Sequence, residues 1–178
     1  MDNIHAARSL QSHLGHRLPM LRFLTTRSQT RRTLVFASAT HVWSDLFFAL
    51  FIPLLVLIKL DPEMELSFTE VGFLKSTYVM ASAILQVPSG LLAERLGEFW
   101  LVVGGNIWVA AGLVVMAAAP SYLFLLAATF LGGLGGGTQH PLASSMVSHA
   151  YDQGARSTAL GTVNFAGDLG KMVAPALA

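Results

Sequence analysis

The sequence predicts an all-α integral membrane protein with five transmembrane helices. Three observations carry this. The 178 residues are 53% hydrophobic and only 12% Asp, Glu, Lys or Arg, against about 25% charged in soluble domains. The mean hydropathy is +0.58. Five long apolar stretches follow one another, each near the ~20 residues that cross a ~30 Å hydrocarbon core, and most lack the polar face of a water-soluble helix. In lipid a helix satisfies its own backbone hydrogen bonds, whereas an open sheet does not.

Residues 1–32 are polar and hold six arginines (Arg8, Arg17, Arg22, Arg27, Arg31, Arg32) against the single acid Asp2. No compact apolar run closed by small residues marks a secretory signal. The segment reads as a cytoplasmic basic arm beside a membrane; an acid-poor, Arg- and Ser-containing start also fits an organelle transit peptide. Residues 33–178 form the membrane domain. Its first stretch, about 33–58, contains the unbroken run Leu46–Ile58. The second covers about 69–93 and the third about 99–119, where Asn106 is the one strongly polar side chain. The fourth covers about 122–149. The fifth begins near 158 and is still apolar at Ala178.

The basic residues set an orientation. The arm and the links 94–98 and 150–157 together hold eight bases, and the links 59–68 and 120–121 hold one, Lys59. The positive-inside rule therefore places the N-terminus in the cytoplasm. A bacterial-type inner (plasma) membrane is the expected location.

Charged groups near mid-membrane cost about 2.5–3.5 kcal/mol each on insertion scales, so they need a partner or a function. The first stretch carries His41 and Asp45 at i,i+4, one face of a helix. The second carries Lys75, Ser82, Gln86 and Ser89 along one stripe. The fourth carries His140, Ser144 and Ser148, and the fifth Asn164, Asp168 and Lys171. The third has almost nothing and is expected to face lipid nearly all round. At 1.5 Å per residue, His41, Asp45, His140, Asp168 and Lys171 lie roughly 12, 18, 15, 15 and 20 Å from the cytoplasmic edge. That is one layer near the midplane, where secondary transporters bind substrate. Each group also admits a purely structural reading. Asp168–Lys171 would be an ion pair that helps helices pack, His41–Asp45 a pair that fixes the first helix, and His140 a histidine satisfied by a backbone carbonyl. Lys75 reads best as snorkelling. Gln86 and Asn106 read as interhelical hydrogen-bond glue.

The run Gly132–Gly137 lacks the Lys-Ser/Thr of a phosphate loop. Its small-xxx-small spacings, Gly132/Gly136 and Gly133/Gly137, permit close helix contact. Pro141 cannot donate to the carbonyl of Gly137, so a bend is expected there. Zero cysteines exclude disulfides, Cys-ligated metal and a thiol nucleophile. Ser144 and His140 on one helix make a poor hydrolytic dyad. His41, Asp45 and His140 could be brought together as metal ligands, but there is no HExxH-type pattern. No enzyme activity, cofactor or resident metal is predicted, and the net charge of +1 points to no nucleic-acid partner.

The link Gly90-Leu-Leu-Ala-Glu94-Arg95-Leu-Gly97 resembles the signature of the major facilitator superfamily between its helices 2 and 3. Glu98, Trp100 and Leu101 stand where that family usually has further bases. With His41-Val-Trp-Ser-Asp45, Gln139-His140-Pro141 and Asn164-Phe-Ala-Gly-Asp168-Leu-Gly170, residues 33–178 resemble the fosmidomycin-resistance-type branch. The resemblance implies five helices of an N-terminal six-helix half, with a missing C-terminal half. It also implies proton-coupled export of a small molecule or drug. Gly90 would then permit close approach of a partner helix, and Glu94 would join an ionic latch with the other half. Asp45 and Asp168 are the candidate proton acceptors. His41 and His140 are candidate relay or substrate contacts, because imidazole titrates near neutrality. Lys171 would hold or release Asp168. Transport by the chain alone is not expected. Facilitated diffusion or uptake by the same fold, or a non-transporting membrane scaffold, remain as alternatives.

Overall fold

A computed structural model describes the backbone of residues 2–177 and the side chains of residues 27–174 and 176. The side chains of Arg8, Arg17 and Arg22 in the basic arm lie outside the described residues. Among the described residues every element is helical: α1 Asp2–Leu60, α2 Phe68–Leu96, α3 Glu98–Ala117, α4 Tyr122–Gly136, α5 Gln139–Ala150 and α6 Gln153–Leu177. The backbone of the arm runs without interruption into α1. Three helices are long and apolar enough to cross a membrane by length and composition: Arg27–Leu60, Phe68–Leu96 and Glu98–Ala117.

Local chemistry sets several of the boundaries. Ser67 caps α2 in a reciprocal box: its hydroxyl accepts from the Glu70 N–H (3.2 Å), and the Glu70 carboxylate accepts from the Ser67 N–H (2.8 Å). Two orphan donors of the helix start are thereby satisfied. Ser121 caps α4 through the Phe124 N–H. Between α2 and α3 the chain turns on one residue, Gly97, at φ 82° and ψ 141°, its N–H donating to the Ala93 carbonyl. Side chains with a Cβ rarely adopt that conformation, so this glycine of the signature link is required by the turn.

The fourth apolar stretch departs from expectation. It is two helices, and the break falls at Gly137–Thr138, ahead of Pro141. The Gly137 and Thr138 N–H groups tighten onto the Leu134 and Gly135 carbonyls. Pro141 then sits in the first turn of α5, where a missing N–H costs nothing. Five glycines between 132 and 137 each weaken a helix by about 1 kcal/mol relative to alanine. The fifth stretch begins earlier than expected, at Gln153.

The glycines of α4 thread it between two neighbours. A Cβ at Gly132 would strike Gly112 of α3, and one at Gly135 would strike the Gly105 carbonyl. At Gly133 and Gly137 it would strike the Tyr78 and Ser82 carbonyls of α2, and at Gly136 the Ser82 hydroxyl. Close packing is therefore present. Gly133 and Gly137 share the α2 face as their four-residue spacing predicts, whereas Gly132 pairs with Gly135 on the α3 face and Gly136 turns to α2. The third helix is correspondingly not free all round: Val102, Gly105, Val109 and Met116 are buried, while Trp100, Ile107, Trp108, Val114 and Val115 point outward.

Two apolar clusters bracket the middle of the bundle. One gathers Phe51, Leu55, Leu74, Tyr78, Met116 and Leu125, with Phe51 stacked on Tyr78 at 4.3 Å. The other gathers Ala37, Ala143, Val147, Ala159 and Val163. Along α1, His41 and Asp45 fall between them.

Candidate functional site beside the cavity

Among the described residues of α6 the buried ones are Ala159, Val163, Gly167, Gly170 and Ala174, a stripe of small side chains at helical spacing. It lies against α1. A Cβ at Gly167 would strike the Asp45 carboxylate and the His41 ring, and one at Gly170 the Val42 carbonyl. This close approach carries the neighbouring Asp168 and Lys171 to the polar face of α1. Lys171 Nζ lies 3.0 Å from Asp45 Oδ2 and 3.1 Å from Asp168 Oδ1, bridging two carboxylates. Asp45 is 3% exposed, Lys171 48% and Asp168 66%. The inner end of the bridge is dry and the outer end open.

The histidines complete the cluster. His41 Nε2 is 3.5 Å from Asp45 Oδ2, and His140 Nε2 is 3.9 Å from Asp45 Oδ1. The two imidazoles meet edge to face at 4.8 Å. His140 reaches this point because it lies just past the α4–α5 break. Its neighbour Gln139, 1% exposed, anchors that end of α5. The Gln139 amide donates to Thr40 Oγ1 on α1, and its carbonyl accepts from Asn106 Nδ2 on α3, both at 3.1 Å.

A cavity of about 250 Å³ opens beside the cluster. Asp45, His140 and Lys171 line it together with Ser44, Ser82 and Gln86. Of the residues singled out from the sequence, His41, Asp45, His140, Asp168 and Lys171 converge here. Asn164 is exposed on α6, apart from them. Asn106 is interhelical glue, as expected, whereas Gln86 lines the cavity. Lys75 is exposed and has no ion pair among the described residues. In the α2–α3 link, Glu94 and Arg95 are exposed and likewise unpaired, and a Cβ at Gly90 would meet nothing within 4 Å. The close approach expected at Gly90 therefore has no counterpart among these helices. Glu98 faces His149 at 3.9 Å. Sequence reasoning passed over the bridging role of Gln139 and the Gly167/Gly170 contact. The small-residue period of α6 was the signal for the latter.

A helical membrane bundle with a titratable polar layer opening into a cavity is the architecture of a membrane transporter. The family model of the Major Facilitator Superfamily matches residues 36–178, and the chain belongs to that family. It is 29% identical over 155 residues to the fosmidomycin resistance protein of Escherichia coli (strain K12), covering 86% of this chain and 37% of that protein. It is 33% identical over 123 residues to the lincomycin resistance protein LmrB of Bacillus subtilis (strain 168), 69% of this chain and 25% of LmrB. A transporter of this type from Metarhizium majus, ppzB, is 28% identical over 116 residues, 65% and 25% of the two chains. The chain thus spans between a quarter and somewhat over a third of these relatives.

Proposed function

We propose that the chain forms the first part of a proton-coupled secondary transporter that exports a small molecule. In this reading its spans are α1, α2, α3, the broken pair α4–α5, and α6, with the N-terminus cytoplasmic in a bacterial-type inner membrane. The observation that carries it is the Lys171 bridge between buried Asp45 and open Asp168 at the cavity wall. Breaking one ammonium–carboxylate contact leaves a buried carboxylate without its cation, the position where a coupling proton would sit. His41 and His140 beside it are the candidate relay groups. Substrate entering the cavity competes for the same donors and acceptors, which links its binding to protonation. The resistance proteins among the relatives support export of a drug-like molecule. Exposed Glu94 and Arg95 beside Gly90 are read as the half of a gate whose partners lie in the second half of the transporter. Alternating access needs two halves rocking about a site, so these 178 residues alone do not transport.

The test is Asp45→Asn in the complete transporter, reading uphill efflux driven by an imposed proton gradient. Efflux is expected to vanish with membrane insertion intact; wild-type efflux would sink the assignment. The neutral polar lining of Ser44, Ser82 and Gln86 favours facilitated diffusion as the second reading, for which flux would ignore the gradient.

A further inference from the structure

We infer that His41, Asp45 and His140 form a binding site for a borderline divalent transition-metal ion, of the zinc, cobalt or nickel class, with Lys171 as the tethered cation that it displaces. One donor atom from each of the three residues lies within 4.8 Å of the others. Donors at ~2.0–2.1 Å around a tetrahedral ion stand about 3.3 Å apart, so side-chain rotations of an ångström or so close the set. His41 and Asp45 are one turn apart on α1 and held rigid by burial. His140 comes from the start of α5 and is half-exposed to the cavity, which leaves a face open for a water or a further ligand. Two imidazoles and one carboxylate suit a borderline ion. Calcium and magnesium prefer an all-oxygen shell.

Two further observations point the same way. His41 Nδ1 is buried without a hydrogen-bond partner, a polar atom that these helices leave unsatisfied beside the cluster. Two carboxylates, Asp45 and Asp168, also share the one ammonium of Lys171. Lys171 touches both carboxylates, so it can surrender Asp45 to an incoming ion and remain paired with Asp168. The inference shares the cavity with the export reading but does not need proton coupling. In the complete transporter, binding without proton-driven flux would sink that reading alone, and flux without binding would sink this one.

The experiment titrates Co²⁺ into the 178-residue chain in lipid nanodiscs and reads the visible d–d absorption of the bound ion. His5, His13 and His16 are replaced by Asn throughout, so that the basic arm contributes no imidazole. Intense bands of a tetrahedral nitrogen–oxygen site are expected. His140→Gln, at a half-exposed position, should weaken binding about tenfold or more, the range in which a lost ligand partner falls. Lys171→Met should tighten it by removing the competing ammonium. Helix content by circular dichroism gates each comparison. Absence of bands in both the parent and Lys171→Met would overturn the site, as would binding that His140→Gln and Asp45→Asn leave unchanged.

Discussion

The α2–α3–α4 side and the α1–α5–α6 side of the bundle are packed by different means. In the first, glycines bring backbones together: Gly112 on Gly132, Gly105 on Gly135, and Gly133 on the Tyr78 carbonyl. Its cross-helix polar links are spare: Trp108 Nε1 donates to the Leu131 carbonyl at 2.7 Å, Thr129 donates to Met116 Sδ at 3.2 Å, and Ser89 reaches the Gly137 carbonyl. In the second, small residues of α6 bring α1 close, but what they enclose is His41, Asp45, His140 and Lys171. Association in lipid gains little from the hydrophobic effect and relies on close van der Waals contact. The first side holds together through glycine backbone contact and apolar side chains. The second admits charged groups that cost energy to bury, and it places them beside a cavity.

Substitutions can break that contrast at graded depth. Gly112→Val should have the largest effect, about 3 kcal/mol, because its side chain has only the Gly132 backbone to displace. Steric-trap unfolding in bicelles would read it, and a loss under about 1 kcal/mol would refute backbone contact as the glue of that side. Gln139→Leu should cost about 1–2 kcal/mol by removing the interhelical acceptor of Asn106 and the interhelical donor to Thr40. It should also loosen His140, seen as faster solvent exchange and altered chemical shifts of that imidazole by NMR. An unmoved His140 signal would show that the α4–α5 break positions the ring without help from Gln139. Gly90→Ala, with nothing within 4 Å of its Cβ, should stay within about 0.5 kcal/mol. A larger loss in the same unfolding measurement would reveal a contact that these helices do not show.

Much of this was legible beforehand, for identifiable reasons. Hydropathy reports side-chain transfer energy, so the apolar stretches were visible. The polar stripes His41/Asp45 and Asp168/Lys171 stood out because such groups are costly in lipid. The α4–α5 break was placed a turn too late, at Pro141, since glycines keep a segment apolar while weakening its helix. The spacing paired Gly133 with Gly137 rightly but Gly132 with Gly136 wrongly, for a related cause. A glycine carries no side chain to show direction, and which neighbour it admits depends on where α2 and α3 stand.

By itself, the sequence determined that this is a helical membrane protein whose apolar stretches carry a few titratable side chains on shared helix faces. Those properties follow from residue chemistry and local spacing. Only the tertiary structure decided that Lys171 bridges Asp45 and Asp168, that His140 joins His41 across 99 residues of chain, and that Gln86 faces the cavity instead of a neighbouring helix. These depend on how far each helix is rotated about its axis and how closely it approaches the next. Contacts summed over the whole bundle set both quantities, and no local window of residues contains them.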